Sequence, residues 1–116
     1  MKLVHVFAST ENFASEAGLT RFVSPTYIPD GEEIPSRFGN EVGLSSYEPA
    51  CIECMVSDTP SKISDLLSGV SYGRSWAHAV RTKASFCAAV CIFPPNLVAT
   101  PERSSIQYLG AYEFEG

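Results

Sequence analysis

The sequence predicts one α+β domain: a single mixed β-sheet of about four strands with helices packed on it, in the order βααβααββ. Three observations lead there. Residues 86–93 form a near-continuous apolar run, Phe86-Cys87-Ala88-Ala89-Val90-Cys91-Ile92-Phe93, which suits a central strand covered on both faces. The segment Tyr108-Leu109-Gly110-Ala111-Tyr112-Glu113-Phe114 alternates, so Tyr108, Gly110, Tyr112 and Phe114 are expected on one strand face. Leu109, Ala111, Glu113 and Glu115 fall on the other, and the rings must be seated on a sheet. Between the predicted strands lie segments with helix caps and apolar residues at helical spacing.

The elements follow in chain order. Residues 2–8 alternate as a first strand. Ser9 is the expected N-cap of a helix over residues 10–22, with Glu11 in its first turn. Phe13, Ala17, Leu19 and Phe22 give its apolar side, and Gly18 weakens it by about 1 kcal/mol relative to Ala. Residues 24–35 read as a loop punctuated by Pro25, Pro29, Gly31 and Pro35, with a turn at Asp30-Gly31. A short helix over 36–42 stops at Gly43. Tyr47-Glu48-Pro49 leads into a second strand over 50–57. Thr59 and Pro60 look like N-cap and first position of a third helix, striped by Ile63, Leu66 and Leu67 and ended by Gly69. A fourth helix is expected over 74–84, with Trp76, Ala79, Val80 and Lys83 on one side. A Pro-rich loop over 94–104 precedes the last strand, 105–115.

Size and charge bound the function. At 116 residues the chain holds one core. A hydrophobic fraction of 45% with 18% charged residues suits a folded domain. The net charge of −5 and a pI of about 4.9 argue against direct nucleic-acid binding, which draws its affinity from Lys and Arg. An acidic domain is better placed to attract a basic partner. The apolar stretch after Met1-Lys2 is too short for a secretion signal, and no run approaches the ~18 apolar residues of a membrane span. The expectation is a cytoplasmic protein without a membrane anchor.

Catalytic chemistry finds little support. Cys51, Cys54, Cys87 and Cys91 have a spacing that loosely resembles a zinc site, but both pairs lie in strand-like runs without a tight turn. Cys51 and Cys54, three apart, should point to opposite faces, so packed, reduced thiols are expected and no metal or cofactor. His5, between Val4 and Val6, reads as a hydrogen-bonded structural residue. A small hydrolase using His5 with a carboxylate or a cysteine is the alternative from another class, and a non-catalytic adaptor is a third. Carboxylate pairs such as Glu113 and Glu115, or those of Glu48, Glu53, Asp58 and Asp65, read as solvated charge among thirteen acids. Arg74, His78 and Arg81 would share one face of the fourth helix, as a solvated face or as partners of a local acidic surface. No nucleophile elbow and no phosphate-binding glycine loop is present.

Four pieces in order carry a resemblance: Val4-His5-Val6-Phe7 before a capped helix; Asp30-Gly31-Glu32-Glu33-Ile34-Pro35-Ser36-Arg37-Phe38 running to Gly43-Leu44; Leu66-Leu67-Ser68-Gly69-Val70-Ser71-Tyr72 leading to Ser75-Trp76; and Leu109-Gly110-Ala111-Tyr112-Glu113-Phe114. Together they resemble the immunity protein family numbered twenty-two among the polymorphic-toxin immunity proteins, over nearly the whole chain. The resemblance implies a small cytoplasmic α+β protein that binds and neutralises a toxin domain, often a nuclease, carried by a secreted effector. It implies no catalytic residues. Arg74 and Ser75 depart from the pattern, standing where relatives often carry an acid. The expected binding residues are aromatics ringed by acids: Tyr27, Tyr47 and Tyr72, with Asp30, Glu32, Glu33, Glu48 and Asp58 around them. The last strand could lie at a sheet edge and pair with a second copy, so the oligomeric state stays open.

Overall fold

A computed structural model describes residues 2–115. In chain order the elements are β1 (Leu3–Ser9), α1 (Glu16–Val23), β2 (Thr26–Tyr27), β3 (Glu33–Ile34), α2 (Arg37–Val42), β4 (Leu44–Ser45), β5 (Ile52–Lys62), α3 (Ile63–Leu66), α4 (Gly73–Trp76), β6 (Ser85–Ile92), β7 (Leu97–Val98) and β8 (Gln107–Glu113). The fold is α+β, as predicted. Its principal sheet has four strands in the order β5-β6-β1-β8, and every pairing is antiparallel rather than mixed. Two short ribbons, β2–β3 and β4–β7, are additional.

The apolar run of residues 86–93 takes the inner position predicted for it. From Phe86 to Ile92 every residue of β6 is buried. Alternation divides the side chains between two layers. Val4, Val6, Ala8, Ala89 and Cys91 face Ile63, Leu67, Val70, Trp76 and Phe93. Phe7, Ala88, Val90 and Ile92 face Leu19, Val23, Phe38 and Val42. Helices therefore cover both sides of the sheet. Cys51 packs on the first layer and Cys54 on the second, the opposite facing expected of them.

β8 does not keep the predicted single aromatic face. Val6 pairs with Gly110 and Phe7 with Tyr108, so Leu109 is an extra residue, a β-bulge. The bulge flips the alternation. Tyr108 packs on Phe7 with ring centroids 5.1 Å apart, whereas Tyr112 and Phe114 join the Trp76 layer. Gly110 takes φ +115, and a Cβ there would stand 3.3 Å from the Tyr112 hydroxyl. That hydroxyl donates to the Leu109 carbonyl at 2.6 Å, closing the ring over the bulge.

Three helix starts or lengths also differ. Ser15, not Ser9, caps α1, accepting from the Gly18 N–H at 3.1 Å. Ser9 and Asn12 instead accept from the N–H groups two residues on, and these local turns delay the helix. Thr59 and Pro60 do not start a helix. They lie in a bulge of β5 between Val56 and Ser61, and on this edge strand a residue lacking an N–H is tolerated. The fourth helix is one turn, Gly73–Trp76, followed by a 3-10 turn at Ala77–Ala79. The Trp76 indole N–H donates to the Ser71 carbonyl at 3.0 Å, and burial of that ring fixes the segment where helix propensity would not. β8 and β5 are the edge strands of the sheet.

Candidate partner-binding face

The antiparallel sheet has two unlike ends. At one, β5 begins and β6 ends, with Ile52 opposite Ile92, and β1 begins opposite the end of β8, with Leu3 opposite Glu113. Three excursions of the chain reach this end: the stretch after α1, the stretch after β6, and the turn between α3 and α4.

The stretch after α1 forms the β2–β3 hairpin, with Tyr27 opposite Glu33 and Thr26 opposite Ile34. Its tip is closed by backbone bonds from Gly31 to Ile28 and from Ile28 to Glu32, and Asp30 accepts from the Glu32 N–H at 3.2 Å. The turn predicted at Asp30-Gly31 is thus formed. Asp30, Glu32 and Glu33 are all exposed. Tyr27 is 59% exposed and its hydroxyl donates to Glu33 at 3.4 Å. The only ion pair formed among the described residues is Arg37–Glu41, at 3.0 Å. The hairpin acids therefore have no basic partner among those residues.

Tyr47 is only half-buried, and its hydroxyl donates to the Ser24 hydroxyl at 3.0 Å, tying the segment before β5 to the end of α1. Glu48 accepts from the Ala50 N–H and so caps the 3-10 turn that leads into β5. Its own backbone is gripped by Asn96, which is 5% exposed. The Asn96 side chain accepts from the Glu48 N–H at 2.7 Å and donates to the Glu48 and Phe93 carbonyls. Six of the expected residues thus come together at this end: Tyr27, Asp30, Glu32, Glu33, Tyr47 and Glu48.

Tyr72 lies at the same end on the other layer. Its ring is 52% exposed and stacks on Phe114, with centroids 5.2 Å apart. Its backbone is left-handed, φ +58, which for a bulky side chain costs about 1–3 kcal/mol. Asp58 is separated from the rest. It sits in the β5 bulge, toward the opposite end of the sheet.

Sequence reasoning missed three residues here. Ile34 and Leu97 are large apolar side chains 46% and 60% exposed, one on each ribbon. Asn96 holds Tyr47-Glu48 in place. The only sequence signal for it was a polar residue just after Pro94-Pro95.

The groups considered for chemistry are dispersed. His5 Nδ1 lies 2.9 Å from the Tyr108 hydroxyl and the rings stack; burial holds its pKa below the usual value. Arg74 and His78 border a surface groove of about 740 Å³ with Glu115, while Arg81 borders another with Lys62 and Lys83. They do not share a helix face, because the helix ends at Trp76. Burial pushes the Cys54 thiol up to about 11 and Cys91 higher still. Among the described residues no group of three or more His, Cys, Asp or Glu could hold a metal ion. No helix among them is long and apolar enough to cross a membrane. What this end of the sheet can do is attract and pack: acids supply a field, and exposed rings and aliphatic groups supply area to bury.

The sequence matches the family described as Immunity protein 22 over residues 4–115. No curated protein and no solved structure matches it.

Proposed function

The chain belongs to the Immunity protein 22 family, whose members are toxin-neutralising and normally non-catalytic, and we propose that it blocks a cognate basic toxin domain by covering it with the acidic hairpin end of its sheet. The observation that carries this reading is the hairpin itself: exposed Tyr27 and Ile34 among three carboxylates without basic partners in the described residues. Opposite charge on a partner speeds encounter, and burial of central aromatic and aliphatic groups slows release. A nuclease domain fits this chemistry, since its nucleic-acid groove is positively charged. Occlusion of that groove by Tyr27, Asp30, Glu32, Glu33, Tyr47 and Glu48 stops the toxin without any bond-making step. The binding takes place in the cytoplasm, where the toxin's substrate is.

The test is co-expression with the toxin domain encoded beside this chain. Rescue of growth and co-purification of the two proteins is the expected result. Rescue should survive His5→Ala in a variant that still folds. Loss of rescue on that change, or turnover of a substrate by the purified chain alone, would return the hydrolase alternative.

A further inference from the structure

A second feature lies beside this face. Between the start of β5 and the end of β8 is a hollow of about 270 Å³, bordered by Tyr72, Phe93, Phe114, Glu53, Cys51 and Lys2. The three rings form one cluster: Tyr72 stacks on Phe114, and Phe93 meets both edge-on. Phe93 and Phe114 are buried, while Tyr72 stands half in solvent. Glu53 is fixed at the rim because its Oε1 accepts from the Ser71 N–H at 3.0 Å. No partner of its Oε2 is found among the described residues. Glu113 and Glu115 flank Phe114 in the chain, so carboxylates lie close to the rings in sequence.

Aromatic faces joined to a fixed carboxylate recognise cations. We propose that this hollow receives an arginine side chain of the partner, its guanidinium against the Tyr72 ring and hydrogen-bonded to Glu53. The inference rests on the reading of this chain as the inhibitor of a basic protein. Arginine is favoured over lysine because a planar guanidinium stacks on a ring and forks onto a carboxylate at once. Lys2 borders the same hollow, so the entering cation meets one like charge as well as Glu53. A bulky residue kept in a left-handed conformation is the kind of local strain found where a side chain must be presented to a ligand. Tyr72 and the acidic hairpin lie on opposite layers of one end of the sheet, so a partner laid across that end reaches both.

The test needs no toxin. The whole isotope-labelled protein is titrated with N-acetyl-arginine methylamide, and with the lysine and citrulline analogues, while ring and amide resonances are followed. The expected result is saturable shifts at Tyr72, Phe114 and Ser71 with the arginine probe, and binding about threefold to tenfold weaker for citrulline and for the Glu53→Gln variant. Tyr72→Phe should retain binding and Tyr72→Ala should lose it. Absence of saturable shifts at the rings, citrulline binding as well as arginine, or lysine binding better than arginine would each overturn the assignment. A failed titration with intact rescue in co-expression removes the hollow alone and leaves the inhibitor reading standing.

Discussion

Gly43→Ala should destabilise the protein by about 2–5 kcal/mol. Gly43 ends α2 in the left-handed region, φ +66 and ψ +43. A left-handed backbone costs a residue with a Cβ about 1–2 kcal/mol. The new Cβ would also stand 2.9 Å from the Ala99 Cβ, closer than two such atoms come. Ala99 cannot swing aside as a long side chain would. Its backbone N–H donates to the Gly43 carbonyl, and the next residue, Thr100, donates to the carbonyls of Val42 and Glu41. Relief therefore means moving a hydrogen-bonded segment, and overpacking of this kind adds about 1–3 kcal/mol. Urea unfolding followed by the fluorescence of the single tryptophan, Trp76, which is 1% exposed, measures the loss. Adding Ala99→Gly should recover the collision part and leave the backbone part, read as a coupling in a double-mutant cycle. Gly69→Ala is the control: a Cβ there meets nothing within 4 Å, and the change should stay within about 0.5 kcal/mol. A loss below about 1 kcal/mol at Gly43, or no coupling to Ala99, would refute the reasoning.

Four further outcomes are expected. His5 has its pKa lowered by burial, so its protonation opposes folding; stability should fall as pH drops from its ordinary value near 6.5 toward the folded value, and His5→Gln should flatten that part of a pH–denaturation profile. Burial raises the Glu41 carboxyl, but the Ser105 N–H and the Arg37 guanidinium outweigh it and hold it below the ordinary 4.5, so its stabilisation should be lost only at more acid pH, a loss that Glu41→Gln would abolish. Cys54 and Cys91 should resist alkylation in the native protein near neutral pH and react once it is unfolded, as mass spectrometry would show. Neutralising the hairpin by Asp30→Asn, Glu32→Gln and Glu33→Gln should slow association with the toxin about tenfold at low ionic strength and leave dissociation little changed; equal rates in stopped-flow measurements would remove the hairpin from the encounter.

Much of the fold could be read from patterns that depend on close neighbours. The apolar run of β6, the alternation of β1 and the stop of α2 at Gly43 all formed as expected. The failures share a form: several local options lay close in energy, and neighbouring turns or tertiary contacts decided between them. Ser9 and Ser15 are both good caps, and the turns at Asn12 and Ala14 select the second. Thr59-Pro60 suits a helix start or an edge bulge, and pairing of Ser61 with Phe86 selects the bulge. An extra residue at Leu109 is invisible to a period of two, yet it sends Tyr108 and Tyr112 to opposite layers. At the candidate face, the hairpin acids were legible because Asp-Gly marks a turn. Ile34, Leu97 and Asn96 were not, because their exposure or burial is set by ribbons that pair residues distant in the chain.

The position of the face follows from the connections. β1 and β6 are buried along most of their length and fix the core through Val4, Val6, Phe7, Ala89 and Val90. The hairpin tip is held by its own turn bonds, and the segment before β5 by Tyr47–Ser24 and Asn96–Glu48. Residues 28–32 can therefore change in charge or shape at little cost to the sheet, whereas Asn96→Ala leaves the Glu48 N–H without its partner and should cost about 1–3 kcal/mol. On the proposed reading, partner choice and fold stability rest on different residues. A protein that must match one toxin among many can alter the first set while keeping the second.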